Sequence, residues 1–178
     1  MLRMNCIIFL SWCVMMGTAA EENPFIRSKV GDWIEHTGTS KHSGKEHALT
    51  IKQTILKKTD TEAVVEVTWI LRPNMKTVSQ FTVDLSKKFD PCTAGIRDAK
   101  LEVKEIDKGD ETVTVGGKTL KTHWVQYEVK GTVSGYERNG KQKFWYSPEI
   151  PLSGIVKSET ENTGDSAVME LKDYGTGK

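Results

Sequence analysis

Net charge is nearly absent from this chain: 25 Lys and Arg stand against 24 Asp and Glu, a formal +1. That balance excludes a protein built on phosphate attraction and supplies no reason to expect nucleic acid. Long hydrophobic runs are scarce too. The longest, Ile7–Met16, is broken by Ser11 and falls short of the roughly 20 residues a membrane-crossing helix needs. Cysteine is limited to Cys6, Cys13 and Cys92. No G-x-S-x-G, H-E-x-x-H or phosphate-cradling loop occurs. What remains is a chain of 178 residues, 28% charged and 37% hydrophobic, which is neither disordered by composition nor a multi-span membrane protein. Its length suits one domain with a core that needs no staples.

The first twenty residues read as an address. Arg3 gives a positive start, the apolar run follows, and Gly17-Thr18-Ala19-Ala20 is a small-residue exit ahead of Glu21-Glu22. This is the pattern of a secretory signal peptide, with cleavage expected after Ala20. Trp12 before Cys13 argues against lipid attachment at that cysteine. The remaining domain, residues 21–178, would keep Cys92 alone, form no internal disulfide and have no transmembrane segment. A periplasmic or secreted location is expected, with the lack of disulfides favouring the periplasm.

Beyond the leader, residues alternate. Leu49, Ile51 and Ile55 share a face interrupted by Gln53, and Ala63, Val65, Val67, Trp69 and Leu71 share another. A period of two marks half-buried strands. Lys57-Lys58-Thr59-Asp60 joins these two runs as a hairpin, and Arg72-Pro73-Asn74 breaks the chain before Val78–Leu85. Leu101–Ile106, Thr112–Val115, Thr119–Val129, Lys141–Ser147, Ile155–Glu159 and Ser166–Tyr174 read as further strands. Lys108-Gly109-Asp110 is expected to turn the chain, and Gly116-Gly117 to close a tight primed hairpin. One short helix is expected around Thr93–Lys100, after Asp90-Pro91. Glu21–Ser28 reads as a lead-in and Gly175–Lys178 as a polar tail. The expected fold is mainly β: a curved antiparallel meander or half-barrel of about eight to ten strands, or a two-sheet sandwich of similar strand count.

Several phrases stand in a telling order. They are Asn23-Pro24-Phe25 before Val30-Gly31-Asp32-Trp33, Val83-Asp84-Leu85 with Phe89-Asp90-Pro91, Val113–Lys118, and Trp145-Tyr146-Ser147 running on to Pro151, Gly154, Val156 and Lys157. This order resembles a group of small secreted bacterial β-rich proteins. They open with a G-D-W strand and close with a W-x-S-x-x-x-P-x-x-G-x-V-K hairpin. A wider likeness is to the lipoprotein-carrier half-barrels, LolA and LolB. It implies a curved sheet closed over an apolar concavity.

Reactive groups point to no chemistry, and no catalytic residue, metal site or cofactor is assigned. Cys92, in Asp90-Pro91-Cys92-Thr93, has no local base and reads as a structural thiol. His36, His42 and His47 span a strand end and a Gly/Ser-rich loop, Thr37–Lys45, but match no zinc spacing, and Lys41 and Lys45 would repel a cation. His123 reads as a surface ring. Glu102, Glu105, Asp107, Asp110 and Glu111 alternate with Lys104 and Lys108, the charge expected on edge strands. Aromatic residues remain. Trp69, Phe81, Trp124 and Trp145 are the candidate ligand-binding side chains, with packing the competing role for each. The functional expectation is a non-enzymatic binding module holding an apolar ligand, such as an acyl chain or lipid, on a concave sheet face. The alternative is an envelope structural or protein-interaction module without a small ligand. A hydrolase acting outside the cytoplasm is the third reading.

Overall fold

Alternating side chains demand a sheet that buries one face, and the backbone provides it. The computed structural model describes residues 23–72, 75–96 and 98–177. Residues 1–22, which hold the expected signal segment with Cys6 and Cys13, lie outside the described residues, as do Pro73, Asn74, Arg97 and Lys178. The strands are β1 (Trp33–His42), β2 (Lys45–Lys58), β3 (Glu62–Arg72), β4 (Met75–Asp84), β5 (Ala99–Val115), β6 (Lys118–Val133), β7 (Tyr136–Tyr146), β8 (Ile155–Asn162) and β9 (Asp165–Gly175). They form one antiparallel sheet in the order β4-β3-β2-β1-β9-β8-β7-β6-β5. The sheet is curled into a half-barrel; the sandwich alternative falls away.

Curling follows from the connections. β4 and β5 are consecutive in the chain yet occupy opposite edges. Nine flat strands would set those edges about 38 Å apart. The link between them, residues 85–98, spends residues 91–95 in turns, so it cannot run fully extended. Register shifts in the β1/β9, β2/β3, β3/β4, β5/β6 and β7/β8 ladders add local bends of the kind that increase twist.

The ladders fix which side chains share a face. His36 stands opposite Ile51 and Leu171, Val65 opposite Ile55 and Phe81, and Phe144 opposite Val125 and Ser158. These positions define the inner face. Ile34, Ile55, Ala63, Val65, Val67, Val83, Val156 and Leu171 are buried there in one cluster, joined by Phe25, Leu85, Ile150 and Leu152 from outside the strands. A second cluster gathers Cys92, Val129 and Phe144, with Leu101, Val103, Tyr127 and Tyr146 against it.

Three local expectations are corrected. No helix forms over Thr93–Lys100: residues 91–95 are turns and β5 begins at Ala99. Asp90 ties that turn by accepting from the Cys92 N–H and the Thr93 hydroxyl. Gly95 then takes a φ of 73° against the Phe81 ring, which ends it. The turn expected at Lys108-Gly109-Asp110 is instead the middle of β5, paired to β6 throughout. Gly109 is there because a Cβ would come within 3.0 Å of the Trp124 indole. The loop expected at Thr37–Lys45 is strand on both sides of a two-residue turn, Ser43-Gly44, with φ of 49° and 78°. The expected Gly116-Gly117 turn does close the β5–β6 hairpin, with φ of 55° and 75°.

The lead-in is more than a tether. Pro24–Arg27 forms a 3₁₀ turn that puts Phe25 into the core, 5.1 Å from the Phe89 ring. The Asn23 amide donates to the carbonyls of Asp84 and Lys87, binding the lead-in to the β4–β5 link.

Ile55 is fully enclosed in the inner-face cluster. Ile55→Ala should cost about 2–5 kcal/mol through lost burial and a residual cavity, whereas Thr77→Ala on the exposed part of β4 should change stability by less than about 0.5 kcal/mol. Urea unfolding followed by circular dichroism measures both.

Candidate functional site

Three segments converge over the inner face of β6 and β7: the lead-in, the β4–β5 link and the loop between β7 and β8. Each is held by its own sequence. The Ser28 hydroxyl accepts from the Leu152 N–H at 2.7 Å. Lys58 donates to the carbonyls of Ile26 and Ser28. The loop is stitched by Ser147 N–H to Gly154 O (2.9 Å), Ile150 N–H to Ser147 O (3.2 Å) and Gly154 N–H to Pro151 O (3.2 Å). Leu152 accepts a left-handed φ of 59° there. Its side chain is fully buried, which holds the loop down.

Where these segments meet the strands, a cavity of about 230 Å³ remains open. Its apolar wall is Phe89, Val125, Tyr127 and Tyr146, closed by Pro24 and Pro148. Tyr127 and Tyr146 flank Phe144, with ring centres 6.2 and 6.3 Å from it, so the wall is part of a continuous aromatic row. Arg27, Lys88 and His123 stand at the rim, and among the described residues no acidic side chain lines the cavity. A second cavity of about 340 Å³ adjoins it, sharing Pro24, Arg27 and Pro148. Its lining is more polar and includes Lys29, Asp32 and Glu149.

The four aromatic residues expected from the sequence lie on opposite faces. Trp69 and Phe81 are on the inner face, on β3 and β4, with Trp69 opposite Ile51 and 39% exposed. Trp124 and Trp145 stand opposite one another across β6 and β7, on the outer face. There Lys143 lies over both indoles, at 3.8 and 4.4 Å, and Lys157 also covers Trp145. The Trp145 indole N–H donates to Glu111. This cation–π stack leaves Trp145 4% exposed. None of the four lines the cavity. The strand residues that do were legible only as stripes: Val125 and Tyr127 alternate on β6, and Tyr146 alternates with the packed Phe144 on β7. Their pairing, and the arrival of Arg27 and Phe89 above them, carried no local signal.

No family model and no curated protein matches the chain. Solved structures share its fold. A candidate exported protein with a YmcC-like fold, from Bacteroides fragilis, superimposes with a TM-score of 0.55 at 14% identity, covering 85% of this chain and 99% of its own. A candidate lipoprotein from Parabacteroides distasonis does so at 0.53 and 12% identity, covering 86% and 99%. A domain of a candidate outer-membrane lipoprotein-sorting protein from Vibrio parahaemolyticus matches at 0.29 and 8% identity, covering 83% and 85%, too distant to carry an argument. The first two likenesses establish a shared half-barrel fold. Among the described residues no helix is long and apolar enough to cross a membrane.

Cys92 is buried and unpaired by disulfide. Burial, and after it the Asp90 carboxylate, pushes its thiol up to about 12. Glu102, Glu105, Asp107, Asp110 and Glu111 all lie on the edge strand β5. The hydrogen bond from Lys108 holds the Glu105 carboxyl below its usual range, with Lys88 adding to the effect. Asp110 bonds to the His123 ring at 3.0 Å. His42, at the end of β1, bonds to Asp165, and His47 lies on β2 opposite Ser40. Among the described residues no group of three or more His, Cys, Asp or Glu is placed to hold a metal ion. His36 is buried on the inner face, where its Nε2–H donates to the Ile155 carbonyl at 2.9 Å. That bond ties β1 to the start of β8, next to the cavity-lining Ser153 and Gly154.

Burial lowers the His36 pKa from its ordinary 6.5, more than the Ile155 bond raises it. Above 6.5 the ring is neutral in both folded and unfolded chains. As pH falls through 6.5 the unfolded chain takes up the proton first, so stability declines until the folded pKa is passed. The urea midpoint should therefore be lower at about pH 5.5 than at about pH 7.5, and His36→Gln should flatten that difference. An unchanged pH dependence in the variant would remove His36 as its source. The raised Cys92 thiol should resist a disulfide reagent at about pH 8 in the native protein and react once unfolded. Rapid labelling of the native protein would contradict its enclosure.

Proposed function

We propose that this chain is an exported, non-enzymatic binding module of the bacterial envelope, and that its inner face takes an acyl chain or a ligand of similar apolar shape. One observation carries the reading: an aromatic-walled cavity stays open on the inner face, beside two clusters of packed side chains. A concave, largely apolar site with a few polar groups at its mouth is the usual form of a small-ligand site. The fold shared with an exported protein and a lipoprotein supports the envelope setting, as does the leader-like start of the sequence. Phe89, Val125, Tyr127 and Tyr146 would contact the ligand. Trp69 and Phe81, on the same face, would extend the apolar surface toward β3 and β4. In this reading Trp124 and Trp145 shape the sheet from outside.

A second reading, a protein-interaction module, is favoured by β4. This edge strand carries no charge from Thr77 to Val83, and Met75 and Val78 are exposed on it. An unguarded edge is a template for a partner strand.

A dye that fluoresces only in apolar surroundings, 1-N-phenylnaphthylamine, separates the two. The exported protein should give saturable enhancement, and Tyr127→Asp should weaken it by about tenfold or more, since a charge would be set in the apolar wall. Gln126→Asp, on the opposite face of the same strand, should leave binding intact. Absence of saturable enhancement in the wild-type protein would shift the weight to the β4 reading.

A further inference from the structure

We infer that the occupant of this cavity is a single-chain amphiphile with an anionic head group, and that Arg27 is the residue that recognises the head. The inference rests on the ligand reading above and adds the chemistry of the ligand's polar end.

Charge at the rim is of one sign. Arg27, Lys88 and His123 line the cavity, and among the described residues no Asp or Glu does, in a chain whose formal charge is only +1. The three bases are not equivalent. His123 is bonded to Asp110, and Lys88 lies close enough to Glu105 to lower its pKa. Arg27 is exposed and has no acidic partner among the described residues. A guanidinium presents a planar fork that binds carboxylate or phosphate oxygens in pairs.

Position makes the same point. Arg27 is the last residue of the 3₁₀ turn whose Phe25 is locked in the core. Lys58 clamps the carbonyls on either side of it, those of Ile26 and Ser28. The Arg27 backbone is therefore held, and its side chain stands at the seam, lining both the apolar cavity and its more polar neighbour. The second cavity also holds Lys29, Glu149 and Asp32, the last with its carboxylate already occupied by the N–H groups of Lys29 and Gly177, each at 2.8 Å. A chain lying along Phe89, Val125, Tyr127 and Tyr146 would leave its head at that seam. The apolar cavity, about 230 Å³, lies below the ~300–1,000 Å³ usual for ligand sites, which suits one acyl chain and not two. The shared chemistry is an anionic oxygen fork on one chain; a fatty acid carboxylate and a single-chain phosphate both present it.

The test is displacement of bound 1-N-phenylnaphthylamine by four ligands of equal chain length: dodecanoate, monododecyl phosphate, dodecanol and dodecyltrimethylammonium, each below its micelle concentration. One or both anions should displace the dye at concentrations at least about tenfold lower than the neutral and cationic ligands. Which anion does so identifies the source of the head group. Arg27→Gln should abolish that preference while dodecanol displaces as before, and Arg27→Lys should restore part of it. Lys57→Gln, an exposed charge on β2, should change nothing. Equal displacement by all four ligands, or a preference that survives Arg27→Gln, overturns the inference and leaves the apolar site standing. Failure of the dye itself to bind removes both.

Discussion

The chain leaves its sheet at one edge and re-enters at the other. β4 and β5 follow one another in sequence but are the outermost strands, so the link between them must cross the open side of the sheet. This constraint organises the rest. The crossing segment places Leu85, Phe89 and Cys92 over the inner face. The lead-in then packs on that segment through Asn23 and Phe25. The β7–β8 loop is held from beneath by Leu152 and from above by Ser28. Three irregular segments thus meet at one place, and irregular backbone packs with less complete filling than facing strands do. The cavity lies at that junction.

The two faces use different physics. The inner face buries aliphatic side chains and stabilises through apolar area removed from water. It tolerates few polar groups: His36 has a carbonyl partner, while the Gln53 side-chain oxygen is buried without one among the described residues. On the outer face Trp124 and Trp145 are covered by Lys143 and Lys157, and Lys157 is paired with Glu159 and Glu170. Long basic side chains laid on indoles shield large apolar rings where no second layer exists. The same residue type therefore does two jobs, and its neighbours in sequence do not say which.

Much of the β-structure was readable. The hairpins around Thr59-Asp60 and Gly116-Gly117 follow from alternation and turn chemistry, and the structure has both. Reading failed where a glycine or a charged stretch had a tertiary cause. Gly109 looks like a turn but makes room for an indole on the next strand. Thr37–Lys45, polar and glycine-containing, looks like a loop, but Thr37 to His42 are laddered between β2 and β9 and only Ser43-Gly44 turn. The candidate site was less legible. Phe89 and Tyr146 belong to the phrases that carry the family resemblance, but Arg27, in an apparent tether, has no local signal.

The sequence by itself determined the β class, which residues alternate together along a strand and most of the turns. These depend on a period of two and on a few residues' φ preferences, both local properties. Only the tertiary structure decided that one sheet curls instead of two sheets stacking, that Trp69 and Trp145 lie on opposite faces, and that Arg27 lines one cavity with Tyr127 and Tyr146. Those outcomes depend on the order in which strands pair and on where the crossing link closes. That order is set by contacts between residues far apart in the chain, which no local pattern encodes.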